Sequence, residues 1–529
     1  MEQIAIRPPN ALRLVAPALT CAWLIVWATA TSVAGPAQGA EPASYGVRWK
    51  LVENEAVDYY LPCERIEKAA GLTAADFDRI FPWSQIRLCN VKPLADGRHV
   101  VRYPADPDFA LDGSHGNVMV EIPKHYSQRS VRDGYEYRLI CAAPRPGFTV
   151  DRAFVEHGRE LDRIYVGAYE AHLRADGRME SVSGVYPSAD KTRGEFRKCA
   201  RANGPGYGMF DLRTLLMIQN LFLVEHADRD SQHAVGNGWG KILQPARTHR
   251  CVLAEKAVNR LVAKRRPGQS AAGVMRDLFI GCAVQITSYE KPWHVYYTNR
   301  SLTGVTLDAP QPGLVSLAFD GPPIDTTTDM CLGGAAQRTG GADRVAGHTG
   351  HGATHGLAPF DTFRCAVKYR HLENLWGNLW CILDGANLAD GRTFFCENLD
   401  QYESGVVSGA YRPASINQLM QDDNGTVGGD REIHYLRNLG YDPQHAWLAL
   451  PQDFTHQGQD AVAGASALLR NGNFGDYYYL NRRATCYVHG GGFDHYWRCG
   501  LFTLRGWFTD TGRWYLYGAR LIYKPTTGK

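Results

Sequence analysis

Residues 373–384 read Glu373-Asn374-Leu375-Trp376-Gly377-Asn378-Leu379-Trp380-Cys381-Ile382-Leu383-Asp384. Two tryptophans stand four apart, and the Gly377-Asn378 pair between them permits a tight approach of backbone. The segment fits a short strand or a helical turn. Its large apolar rings belong in a core, so Trp376, Gly377, Asn378, Trp380 and Asp384 are read as scaffold residues without a catalytic part.

Just upstream lies a stretch of the opposite character, residues 333–357 (GGAAQRTGGADRVAGHTGHGATHGL), rich in glycine and without periodicity. A loop of that length inside a domain is usually functional or disordered. It carries His348, His351 and His355. Three imidazoles suit zinc or nickel, yet no carboxylate or cysteine nearby completes a ligand set. Further on, Asp422, Asp423, Asp430 and Glu432 flank glycines. Oxygen ligands in such a turn suit a structural calcium, but the spacing does not fit an EF-hand, and a hydrophilic turn is the other reading. Asn424-Gly425-Thr426 is a glycosylation sequon, relevant to a eukaryotic secretory route. No cofactor is expected.

Toward the N-terminus the clearest helix starts at Asp211, a suitable N-cap, and runs through Leu212 to Glu225; being apolar on most sides, it is placed in the core. A second helix is expected over Leu253 to Lys264, and a short one over Leu72 to Phe81 with Thr73 as N-cap. Alternating or continuously apolar runs predict strands at 117–122, 135–140, 163–169, 295–297 and 314–319. The expected organisation is a leader or anchor over 1–40, a small N-terminal module over 41–114, and one large domain over 115–529. The leader reading rests on Arg7 and Arg13 before an uncharged stretch from Leu14 to Ala40, with Ser32-Val33-Ala34 suiting a signal-peptidase cut. A retained anchor and a mis-chosen start codon are the alternatives.

The chain has 529 residues, 44% hydrophobic and 21% charged, with 27 Tyr, 19 Phe, 12 Trp and 55 Gly. The aromatic surplus suits either a β-rich core or exposed recognition surface. A net charge of +3 without a long basic run gives no indication of a nucleic-acid partner. Thirteen cysteines form no paired metal-binding spacing, and no Gly-x-Ser-x-Gly elbow, phosphate loop, dinucleotide fingerprint or HExxH is present. These absences argue against an enzyme.

The C-terminal stretch 485–529 is where rings and charges alternate: Asp494, His495, Tyr496, Trp497 and Arg498, then Arg505 and Trp507, then Arg513, Trp514, Tyr515 and Tyr517. Such residues give rigid contact area with polar tips, and the interleaved charges would be awkward in a core. They are the candidate ligand-binding residues; aromatic strand packing is the competing reading.

Residues 373–384 closely resemble the ENxWGNVWEWxxD signature of the formylglycine-generating-enzyme-like branch of the C-type lectin fold. Gly490-Gly491-Gly492-Phe493, Gly500-Leu501-Phe502 and Gly518-Ala519-Arg520-Leu521 look like the RGGxW…AGxF…GxR ending of that branch. Segments at 147–148, 162–170, 181–185 and the helix through Asp228 are similar to phage minor structural or tail-tip proteins, and the stretches between the C-terminal glycine landmarks correspond to those varied in relatives diversified by retroelements. The resemblance implies an α+β C-type-lectin-like fold of many short strands, few helices and long loops. It implies a non-catalytic adhesin or receptor-binding protein with 485–529 as a variable display region. The partner would be a host-cell or other cell-surface receptor, protein or glycan, and the protein could self-associate as a homo-oligomer. It would be secreted or on the cell surface, or part of a phage virion. A formylglycine-generating-type oxidase using Cys486 and Cys499 is the alternative, although neither stands in the Arg-x-Arg-Cys context of that family. A purely structural virion component is the third reading.

Overall fold

The computed structural model describes residues 41–51, 63–94, 96–240, 249–265, 267–274, 278–347, 365–420, 433–457, 474, 476–495 and 498–525. Residues 1–40, the histidines 348, 351 and 355, the acidic turn 422–432, and Tyr496 and Trp497 lie outside them. Among the described residues no helix is long and apolar enough to cross a membrane.

Strands make up 37% of the chain and helix 12%, so the expected α+β class is corrected to a sheet-rich protein. The physical reason lies in the helix-forming windows. Only two described α-helices exceed one turn, α1 (Arg193–Arg201) and α2 (Leu212–His226), and the short helix expected over Leu72 to Phe81 is a 3-10 helix, Ala74–Arg79. Two more, α3 (Ser231–Ala234) and α4 (Ala271–Val274), span four residues each. The helix expected over Leu253 to Lys264 is instead a bend followed by a strand, Arg260–Lys264. Ala257 there has a left-handed φ of 52°, and Arg260–Lys264 pairs residue for residue with Leu314–Phe319. Tertiary pairing overrides the helical propensity of the local sequence.

Four larger sheets organise the molecule, and most of their ladders are antiparallel. One contains Ser44–Lys50 beside Tyr135–Cys141. A second pairs Arg87–Pro93 with Asn117–Pro123, which pairs in turn with Arg163–Gly167, and brings in Leu521–Tyr523 from the far end of the chain. Residues 41–114, read from the sequence as a small module, thus supply strands to sheets completed by later segments. Residues Pro42–Lys529 form one compact unit. A third sheet carries Ala283–Ser288, Val295–Leu307 and Leu314–Phe319. The fourth, which positions the candidate site, has the order Tyr478–Leu480, Gly500–Phe508, Cys486–Gly490, Trp380–Ile382, Tyr517–Gly518.

Helix α2 crosses the interior. Asp211 caps it by accepting from the Thr214 N–H at 2.8 Å, and every residue from Leu212 to Glu225 is buried. A helix apolar on all sides must be covered on all sides. Its charged side chains are paired: Glu225 takes Arg370 at 2.6 Å, and Arg213 reaches Glu156 at 2.5 Å. Ala227 closes the helix in the left-handed conformation. Helix α1 starts with a reciprocal capping box between Thr192 and Glu195.

Candidate ligand-binding site

The frame of the site is the 373–384 segment. Trp376 and Trp380 are both fully buried. The Trp376 indole donates to the Gly236 carbonyl at 2.9 Å, and the Trp380 backbone N–H donates to Leu516 at 2.9 Å. Gly377 has φ of 78°, and a Cβ there would meet Trp239 backbone at 2.7 Å, so only glycine fits. Asn378 also stands in the left-handed region, with φ of 60°. Its amide donates to Glu170 at 2.5 Å and to the Gln337 carbonyl at 3.1 Å, while its oxygen accepts from the Gln337 N–H at 2.6 Å. Asp384 receives a two-pronged contact from Arg197 at 2.7 and 2.8 Å, tying the segment to α1. All five scaffold residues are accounted for by packing and hydrogen bonding.

Buried carboxylates surround this frame. Glu170 accepts from the Leu379 N–H at 3.0 Å, and burial pushes its carboxyl up to about 7 against the pull of Asn378 and Arg520. Glu373 accepts from the N–H groups of Gly340 and Ala342 at 2.8 and 2.7 Å, and burial raises it likewise to about 7. Arg520, also buried, donates to the carbonyls of Gly167, Glu373 and Asn374 at 2.7, 2.5 and 2.9 Å. The first part of the glycine-rich stretch 333–357 is thus a cradle for Glu373.

Beside the frame, strand Gly500–Phe508 and the turn leading to Trp514 border a cavity of about 500 Å³. Six of the sequence-predicted residues line it: His495, Arg505, Trp507, Arg513, Trp514 and Tyr517. Trp507 is 39% exposed. The Arg505 guanidinium lies 5.2 Å from the Trp507 ring, 5.6 Å from Tyr479 and 5.7 Å from Trp380, within cation–π range of all three. Burial works against its charge, but Tyr517, Tyr477, Tyr479 and Asp494 outweigh that effect and raise its pKa. Arg513 is paired with Glu195 of α1 at 2.8 Å.

The other candidates are placed differently. Asp494 and His495 are mostly covered, and His495 Nδ1 is 2.7 Å from the Asp494 carboxylate. The same nitrogen is 3.3 Å from the Trp380 indole nitrogen. The indole N–H donates to Nδ1, and the two rings also pack edge-to-face with centroids 5.0 Å apart. Arg498 lies over the Tyr477 ring at 5.7 Å. Tyr515 and Tyr517 are buried, with Tyr517 packed on Phe508 at 4.3 Å. Tyr496 and Trp497 fall outside the described residues.

Asn481 and Arg483 also line the cavity and lie just before the stretch that the sequence singled out. The signal for them was the Arg482-Arg483 pair following the aromatic run Tyr477–Tyr479. That run lies parallel to Gly500–Phe508, with Tyr479 opposite Arg505.

Cys486 and Cys499 are both fully buried. Their thiols contact the carbonyls of Phe508 at 3.7 Å and Gly492 at 3.4 Å. Burial pushes Cys486 up to about 12 and Cys499 well above its ordinary value, so both are held as thiols. Among the described residues no group of three His, Cys, Asp or Glu side chains is placed to hold a metal.

No known protein-family model matches the chain, and no curated protein matches it.

Proposed function

We propose that the protein is a ligand-binding protein of the adhesin or receptor-binding kind, without a reaction of its own. The 500 Å³ cavity beside Trp507 would be its contact surface. The observation that carries this reading is the contrast between frame and cavity. The 373–384 frame is buried with its polar groups paired, whereas Arg505 and Trp507 present a cation and an open ring at a concave surface. Rigid aromatic and arginine groups are the residues that dominate recognition surfaces. The motif resemblance to the variable proteins of diversity-generating retroelements supports the same reading, as does the position of the cavity in the corresponding C-terminal stretch. The leader-like composition of residues 14–40 supports a place outside the cell and a cell-surface receptor, protein or glycan, as partner. Probing an array of glycans and cell-surface proteins with the purified chain and Trp507→Ala tests this. Binding that is lost in a variant of unchanged melting temperature supports the reading; binding that the variant retains removes the cavity from it.

A further inference from the structure

Resting on that reading, we infer that the cavity takes a carboxylate-bearing saccharide. Three arginines and a histidine line it (Arg483, Arg505, Arg513, His495), and no Asp or Glu is among the described lining residues. Two of these groups are already engaged, Arg513 by Glu195 and His495 by Asp494. Arg505 and Arg483 have no ion pair among the described residues; Asp494 acts on Arg505 only at a distance and is also in contact with His495, so positive groups outnumber negative ones at this concave surface.

The geometry around Arg505 narrows the chemistry. Three aromatic rings crowd the guanidinium, and its Nε–H is buried away from solvent, which leaves the two terminal nitrogens to meet a ligand. Cation–π contact engages the faces of a guanidinium, whereas its N–H groups point outward in its plane. A planar acceptor with two oxygens answers that fork, and a carboxylate is such an acceptor. Phosphate sites are commonly built from helix N-termini or nests of backbone N–H groups. No helix supplies a lining residue among the described residues, so the guanidinium is left to choose the anion.

The remaining walls ask for a flat partner with apolar faces and polar edges. Trp507 is open to solvent and Trp514 is partly so, with the latter stacked on Tyr515 at 5.6 Å. The C–H face of a pyranose ring lies flat on indole, while its hydroxyls remain at the rim near Asn481 and Thr509. At about 500 Å³ the space is within the range of small-ligand sites, about 300–1,000 Å³. The inferred pose sets the sugar face on Trp507 and the carboxylate in the plane of Arg505, with Arg483 at the entrance.

Calorimetry and tryptophan fluorescence with the full chain test this, using sialyllactose and digalacturonic acid, their methyl esters, and sulfated lactose as probes. At least one acid should bind about tenfold or more tightly than its ester, the size expected of one charge-assisted contact. Arg483→Gln, at an exposed position, should weaken the acid and leave the ester unchanged. Arg505→Lys should erase the discrimination while keeping the charge, and Trp507→Ala should lose acid and ester alike. Equal binding of acid and ester, or tighter binding of the sulfate, overturns the carboxylate while leaving a saccharide cavity. Acid binding that persists in both Trp507→Ala and Arg505→Lys overturns the cavity reading itself. Binding of none of the probes overturns the inference, and the array experiment above then decides separately whether the cavity binds anything.

Discussion

Replacing Asn378 by alanine should be among the most damaging single changes outside α2. Its side chain makes three hydrogen bonds, to Glu170 and to both backbone groups of Gln337, in a fully buried setting. Alanine leaves the Gln337 N–H and C=O without these partners and takes one donor from the Glu170 carboxylate, which keeps the Leu379 N–H. Two buried groups left short cost about 2 kcal/mol each. Alanine must also hold the left-handed φ of 60°, which costs it about 1 kcal/mol relative to glycine. The expected loss is about 5 kcal/mol for Asn378→Ala and about 4 kcal/mol for Asn378→Gly. Urea unfolding followed by tryptophan fluorescence measures both, since Trp376 and Trp380 are neighbours in sequence. A loss below about 2 kcal/mol for alanine, or a glycine variant less stable than the alanine one, would refute the reasoning.

Further expectations concern the same frame and the alkaline range. Trp376→Ala should cost about 3–5 kcal/mol, as for large buried rings, whereas Trp507→Ala should cost less than about 1 kcal/mol; equal losses in thermal melts would mean that Trp507 is core. Gly377→Ala forces a Cβ into Trp239 backbone at 2.7 Å and should lower the melting temperature markedly, while Gly134→Ala, with nothing within 4 Å, should pay only for its φ of 73°. Glu170 and Glu373 bind a proton more tightly folded than unfolded, so the stability they carry is full below about 4.5 and is lost as pH rises through about 7. His489, lowered to about 3 by burial, acts with the opposite sign only below 6.5. Between pH 6.5 and 8.5 the two carboxyls should therefore remove about 1 kcal/mol each, visible as a falling urea midpoint; a midpoint that rises over this window contradicts their raised values.

Helix α2 and its Asp211 cap were legible because a polar cap before an uninterrupted apolar run has few other outcomes. The strand at 314–319 was equally plain, from its apolar content and flanking glycine and proline. What the sequence could not supply was pairing. Asn378 depends on Gln337 and Glu170, which lie 41 and 208 residues away, and nothing local marks them as partners. The strand at Arg260–Lys264 was hidden for a related reason, since its neighbour Leu314–Phe319 sets its conformation. In the C-terminal stretch the alternation of rings and charges was visible, and six of the eleven residues chosen from it meet at one cavity. Tyr517 belongs to the buried side of that cavity because the turn after Thr511 brings it back against Phe508 and beside Trp380, and Tyr515 is buried without lining the cavity. A residue list cannot show which way a turn faces.

The central claim is that a rigid, internally satisfied frame carries a ligand cavity at Arg505 and Trp507. The most direct test is a binding isotherm for the best array hit, measured with the wild-type chain and with Trp507→Ala at a temperature where both are folded. The account predicts an unchanged melting temperature and affinity reduced by about tenfold or more in the variant. Unchanged affinity in a folded variant would contradict it.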